Sequence, residues 1–242
     1  MSVSDGLQPM TEEAAVPHVL DNPVWASLTG PHADLALGTG LARAYPDDVA
    51  RFVALQDLAD PQAWRDLAAL VPPGEVVAVS GPRPEPPEGW EVVAGGEGVQ
   101  LVATDRLHDR AFPEAVPLGP DDAEEMLDLV ARTEPGPFLP RTYLLGTYLG
   151  VRVDGRLVAM AGERLHPPGF TEISAVCTDP DFRRRGYATR LVLAVAHGIR
   201  ARGETPLLHA AATNTGAIRL YEALGFELRR RTRFIAVRVP QG

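Results

Sequence analysis

The sequence predicts an α/β fold built from two halves in tandem. Three observations lead there. Apolar runs of strand length alternate with longer segments at helical spacing. An Asp-Gly dipeptide separates two such runs, as in a tight hairpin. The order strand, helix, strand also occurs twice along the 242 residues. A chain of this length can bury a core without metal or disulfide staples.

In the first half, FVALQD (52–57) reads as a strand and PQAWRDLAALV (61–71) as a helix opened by Asp60 and Pro61. EVVAVS (75–80) is a buried strand. The Pro/Gly-rich stretch SGPRPEPPEGW (80–90) is a loop or linker by composition, and WEVVA and VQLVAT follow as two further strands.

The second half carries stronger signals. DDAEEMLDLVART (121–133) is an amphipathic helix with Met126, Leu127 and Val130 on one side and an acidic first turn that suits the helix dipole. YLGVRVDGRLVAMAGERL gives two strands about Asp154-Gly155. TEISAVCT (171–178) is a third strand, stopped by Asp179-Pro180. A helix over 187–202 places Ala188, Leu191, Val192, Val195 and Ile199 at helical spacing, with Gly203 as its stop. PLLHAAA (206–212) is a buried strand, TGAIRLYEAL (215–224) a short helix ended by Gly225, and RRTRFIAVRV (230–239) the closing strand.

Composition excludes several classes of function. All 23 basic residues are Arg, so no lysine is available for a Schiff base. The net charge of −9 opposes a general affinity for nucleic acid or anionic lipid. The charge is uneven: residues 1–110 hold 17 Asp/Glu and 6 Arg, whereas residues 111–242 hold 15 and 17. The single cysteine, Cys177, excludes an intramolecular disulfide and suits a reducing compartment. The start MSVSDGLQPM has neither a basic nor an apolar leader region, and the longest apolar run is only 191–196. Together these predict a soluble cytoplasmic protein. The six His show no metal-ligand spacing, so no metal is expected.

The chemistry concentrates where TEISAVCT runs into the following helix, across DPDFRRRGYATRL. A strand leading through Arg183, Arg184, Arg185, Gly186, Tyr187 and Ala188 into a helix start gathers free backbone N–H groups, a dipole end and guanidinium groups. That is a diphosphate site in physical terms. Gly186 lets the backbone approach an anion, and Ala188 keeps the first turn slim.

Arg-x-x-Gly-x-Ala between a strand and an amphipathic helix, followed by a strand and NTGAIRLYEALGF, resembles the acetyl-CoA-binding core of the GNAT superfamily of N-acetyltransferases. The resemblance covers about residues 115–240. It implies a mixed, largely antiparallel sheet flanked by helices, with central strands that splay to admit the pantetheine arm of acetyl-CoA. Val176, Cys177 and Thr178 would then offer backbone groups to the acetyl and pantetheine amides. The diphosphate would rest on Arg183, Arg184, Arg185, Gly186, Tyr187, Ala188 and Thr189.

In the second motif, Asn214 reads as an N-cap, and Ile218, Tyr221 and Leu224 as a buried stripe. In the family pattern Tyr221 gives its proton to the departing thiolate, while Asn214 and Ala217 contact the cofactor; the plain alternative for Tyr221 is a core aromatic. Glu172 matches the general-base glutamate of the histone acetyltransferases in this superfamily. By the strand period it shares a face with Ser174 and Val176. Its plain alternative is an ion pair with Arg152 or Arg164, and Glu163 is a second candidate base. His209 reads as a hydrogen-bonded core residue and Cys177 as packing.

The expected organisation is therefore a degenerate GNAT-like or accessory part over 1–110 and the acetyltransferase domain over 111–242. The first part is a wall of the substrate cleft, a portion of the sheet, or an acidic partner-binding module. The expected function is acetyl transfer from acetyl-CoA to a primary amine in a ternary complex. The acidic first half points to a cationic acceptor. The competing expectation is a CoA-binding regulatory or scaffold protein without turnover.

Overall fold

The computed structural model describes residues 18–81 and 85–241. The N-terminal start and part of the 80–90 loop lie outside them. Among the described residues, ten strands and five α-helices follow in chain order: α1 (Pro23–Leu28), β1 (Ala42–Ala44), β2 (Val53–Leu55), α2 (Pro61–Leu70), β3 (Val76–Gly81), β4 (Glu91–Ala103), β5 (Val116–Leu118), α3 (Ala123–Thr133), β6 (Tyr148–Val153), β7 (Arg156–Glu163), β8 (Phe170–Thr178), α4 (Tyr187–Ala201), β9 (Thr205–Ala211), α5 (Thr215–Leu224) and β10 (Phe226–Arg238). Eight of these strands form one sheet in the order β3-β10-β4-β9-β8-β7-β6-β5, and β1 and β2 form a separate pair. Every neighbouring pair in the large sheet is antiparallel except β8 and β9. The mixed, largely antiparallel sheet is thus present. Among the described residues no helix is long and apolar enough to cross a membrane.

Local chemistry explains the elements. Asp60 accepts from Gln62 N with Pro61 next in line, which opens α2. Asp154 (φ +50°) and Gly155 (φ +82°) are both left-handed, as a two-residue hairpin between β6 and β7 requires. The apolar face of α4, including Leu191, Val192, Val195 and Ile199, packs against Val158, Ala159, Ala161 and Ile173 of the sheet.

One expected break is absent. The segments read as two strands, WEVVA and VQLVAT, form the single strand β4. The glycines between them pair with β10. A Cβ built on Gly96 would lie 2.8 Å from Cζ of Phe234, so the bare backbone makes room for that ring. β1, β5 and the six-residue α1 carried no sequence expectation; they are three to six residues long, too short for a periodic signal.

The topology interlaces the two halves. β4 lies between β9 and β10, and β10 lies between β4 and β3. Each half's last strand therefore pairs with the last but one strand of the other half, and β4 and β10 run antiparallel along most of their length.

Candidate active site

The geometry of the site begins with β8 and β9. They pair in parallel only from Phe170 with Thr205 to Ile173 with Leu208. Beyond that point the strands part, while β9 stays paired to β4 on its other edge. At the parting, Ala175 adopts φ +51° and the register of β8 against β7 shifts between Ser174 and Cys177. This bulge releases main-chain groups of 175 and 176 from the ladder and turns them toward another partner. A cleft of about 890 Å³ opens there, walled by residues 173–178 on one side and 208–211 on the other.

One end of the cleft is the turn into α4. Arg184 (φ +62°) and Gly186 (φ +76°) are both left-handed, and α4 has no side-chain cap on its first N–H groups. Such a turn forms a concavity of N–H groups at a positive dipole end. Nothing lies within 4 Å of a Cβ built on Gly186, so the space before it is open. Asp179 anchors the approach to this turn: buried, it accepts from Arg132 and from Arg156 (2.8 Å).

Arg183, Arg184, Gly186, Tyr187, Ala188 and Thr189 line the cleft, as do Val176, Cys177, Thr178, Asn214, Ala217 and Tyr221. Arg185 does not. Its guanidinium lies over the Phe182 ring (4.8 Å) and reaches Asp181 O. Asn214 accepts from Ala217 N and caps α5. The hydroxyl of Thr178 is buried with no partner among the described residues, an orphaned group that a bound amide or phosphate would satisfy. These residues fit a nucleotide-linked pantetheine.

Tyr221 is buried against Phe226 (ring centroids 6.2 Å), and burial pushes its hydroxyl up to about 12. It stays protonated throughout the working range. The Cys177 side chain packs among Met126, Leu129 and Met160, and burial pushes the thiol up to about 11; it is a packing residue.

Glu172 stands in the ion pair with Arg164 that was the alternative to its role as a base. Its carboxylate is fully buried and is not on the cleft wall. Arg164 donates to it from Nε (2.8 Å) and Nη2 (2.5 Å), and His209 Nδ1 lies 2.8 Å away. Burial alone would raise its pKa, but Arg164 and His209 outweigh burial and hold the group well below the usual carboxylate range. Such a carboxylate is a poor proton acceptor. The bulge at Ala175 interrupts the alternation that would align Glu172 with Val176. Glu163 is also turned inward, accepting from Arg202 (2.8 Å) and Thr147 N (3.1 Å).

The group that does reach the cleft is His209. Glu172 can only accept, so Nδ1 carries the proton and Nε2 is left basic. Gln100 Nε2 meets His209 Nε2 at 3.0 Å and also donates to Leu20 O, while its Oε1 accepts from Arg229 Nη1 (2.9 Å). With Gln100 donating to it, Nε2 is an acceptor, which agrees with the proton on Nδ1. A histidine alone on a strand gives no such signal in sequence, because its partners come from residues 100, 172 and 229 on three other strands.

A sheet whose one parallel pair among the described residues splays beside a bulge, with an anion-binding turn at the mouth, defines the class of CoA-dependent acyltransferases. Comparison with known proteins agrees. A family model described as FR47-like protein matches residues 148–235. A crystal structure from Novosphingobium aromaticivorans, described as a putative acetyltransferase from the GNAT family, is 41% identical and superposes with a TM-score of 0.84. That match covers 91% of this chain and 98% of that one. The chain belongs to the GNAT family of N-acetyltransferases. A mycothiol acetyltransferase of Thermomonospora curvata is 31% identical over 84% of this chain, which spans 59% of that relative's length. A GCN5-related N-acetyltransferase from Kribbella flavida shares the fold at 20% identity, with a TM-score of 0.56 over 90% of this chain and 94% of that one.

Proposed function

We propose that the chain transfers an acetyl group from acetyl-CoA to a primary amine by direct attack in a ternary complex. The observation that carries this reading is the continuity of one cleft from the left-handed turn at Arg184 and Gly186, past the bulge at Ala175, to His209. Acetyl-CoA supplies an activated thioester; every other requirement falls to side chains and backbone of this chain. Arg183, Arg184 and the N–H groups of 186–189 hold the diphosphate. Main-chain groups of Val176, Cys177 and Thr178, with Asn214 and Ala217, hold the arm.

His209 Nε2 takes the proton from the attacking nitrogen, which displaces the Gln100 amide from that position. Glu172 acts through His209 as a positioning residue and stabilises the imidazolium that forms. Tyr221 gives its proton to the sulfur as the C–S bond breaks and the C–N bond forms. No acyl group is passed to Cys177, whose thiol is protonated and packed away.

We also infer that residues 1–110 are a degenerate copy of the GNAT unit. β2, α2 and β3 repeat the order β8, α4 and β9, and the parallel bridge between Phe52 and Ala78 stands where β8 and β9 pair in parallel. The reciprocal placement of β4 and β10 supports the same reading. This copy has LADPQAW where the other has the anion-binding turn, and it contributes Leu20, Phe52 and Gln100 to the cleft instead.

Calorimetric titration with acetyl-CoA, followed by thiol release across a panel of amines, tests the activity. The expected result is saturable binding with amine-dependent release of CoA. Binding without release for any amine would leave a CoA-binding protein, and no binding would remove the reading altogether.

A further inference from the structure

Beyond His209 the cleft floor crosses three neighbouring strands at one level. Gln100 of β4 is in register with His209 of β9 on one side and with Arg230 of β10 on the other. Strands lie about 4.8 Å apart, so roughly 10 Å of backbone separates His209 from Arg230. One step further along β4, Gly98 lies opposite Thr232, whose Oγ1 covers the glycine at 2.8 Å from where a Cβ would stand.

The charges at this end do not balance. Asp21 Oδ1 accepts from Arg229 Nη2 (2.7 Å) and from Arg230 Nη1 (2.6 Å), so one carboxylate serves two cations. Arg229 spends its other arm on Gln100. Arg230 makes no further hydrogen bond among the described residues, and it lines the cleft with Nε and Nη2 unengaged. Arg164 and Glu172 cancel each other. The other carboxylate on the cleft is Glu134. It lies on the segment after α3, which packs on β7 and β8 rather than near β10. Among the described residues, the acidic first half brings Asp21 to the acceptor end, where Arg229 and Arg230 engage it, so the expected cationic acceptor has no free anion to meet there.

We propose that the acceptor is an amine that also carries a carboxylate, and that Arg230 binds this carboxylate while the amine faces His209. The proposal rests on the reading of His209 as the proton acceptor of an acetyl transfer. Arginine suits the task, because a guanidinium with two adjacent free donors pairs with a carboxylate in a defined orientation.

A ladder of unbranched ω-amino acids, from glycine upward by single methylene groups, together with other α-amino acids, tests this against the matching carboxamides. Rates are compared per unprotonated amine, with acetyl-CoA as donor. The expected result is at least a roughly 10-fold higher kcat/KM for the best carboxylate over its amide. In Arg230→Gln that preference should shrink by roughly 10- to 100-fold, mainly through KM, and Arg230→Lys should recover part of it. Asp21 keeps its bond to Arg229 in both variants, and unchanged acetyl-CoA affinity shows that the cleft is intact.

Equal or better turnover of the amides, or an undiminished preference in Arg230→Gln, overturns the assignment while leaving the acetyltransferase reading standing. Acetyl-CoA binding with no turnover of any carboxylated amine also overturns it. Failure of the wild-type chain to bind acetyl-CoA sinks the functional reading itself.

Discussion

His209 Nδ1 stands 2.8 Å from Glu172 Oε1, and the same carboxylate is gripped by Arg164 through two bonds. The pairing divides labour between two residues that a strand pattern alone treats as unrelated. In the proposed transfer Glu172 contributes charge and orientation from behind the wall, and His209 contributes the basic nitrogen. His209→Gln is therefore expected to keep acetyl-CoA affinity and to lower turnover by roughly 100-fold or more, with the loss shrinking at high pH where the amine is already neutral. Wild-type pH–rate behaviour in this variant would return His209 to a packing role.

Glu172→Gln makes a different prediction, because it leaves Arg164 as a buried cation without its partner. The expected cost is about 3–5 kcal/mol of stability, read from denaturant unfolding. The pH dependence of the wild-type chain carries the same signature. Glu172 has a folded pKa below its unfolded value, so its contribution is fully present above the ordinary carboxylate range near 4.5. It is lost as pH falls from there toward the folded pKa. A Glu172→Gln variant as stable as the wild type at pH 7 would show that the pair contributes nothing net.

Much of this arrangement was legible in the sequence, and the limit has a physical cause. The anion-binding turn is local: Arg184, Gly186 and the helix start are consecutive, so their chemistry survives in one dimension. Asn214 and Tyr221 lie within two turns of one helix and were equally readable. Glu172 was placed on the right strand, and its ion pair with Arg164 was one of the two readings; what the sequence hid is the left-handed Ala175, which shifts the alternation between Glu172 and Val176 and of which alanine gives no warning. Arg185 looks like its two neighbours in sequence, yet Phe182 holds it aside. The acceptor end depends on β4 entering the sheet between β9 and β10, a long-range choice that neither β-propensity nor periodicity encodes.

Gly186→Glu tests the turn. A side chain at φ +76° is strained by about 1 kcal/mol, and it enters the open space in front of the helix start with a charge of the wrong sign. Affinity for acetyl-CoA should fall by at least roughly 10-fold in calorimetric titration, with the thermal unfolding transition still cooperative. Unchanged affinity would place the diphosphate elsewhere.

His32 makes the contact between the halves sensitive to acid. Its Nδ1 meets Tyr45 OH at 2.9 Å, its Nε2 meets Leu145 O at 3.2 Å, and the His166 ring, tilted by 45°, has its centroid 4.7 Å away. Burial first, and the neighbouring His166 second, bring its pKa from 6.5 down to about 4. The unfolded chain thus binds a proton that the folded chain refuses between these values. Stability should be full above pH 6.5 and should decline as pH falls toward 4. His32→Gln should flatten that decline in unfolding midpoints measured from about pH 7 to pH 4.5; an equally steep decline would assign it to other groups.

Tyr221 separates a structural from a chemical role by one atom. Its ring packs on Phe226 and Leu191, and Tyr221→Phe keeps that packing, so the change should cost little stability. The hydroxyl, pushed up to about 12 by burial, is a weak acid that holds its proton until a stronger base appears beside it. A thiolate leaving from the cleft is such a base only while the C–S bond breaks, so the bond is made mainly in the transition state. Turnover in Tyr221→Phe should therefore fall by roughly 10- to 1000-fold while KM for acetyl-CoA hardly moves. The loss should be milder with an acyl donor whose thiol has a lower pKa, because that leaving group departs without a proton. Full activity in Tyr221→Phe, with acetyl-CoA binding intact, would make Tyr221 a core aromatic and leave water as the acid.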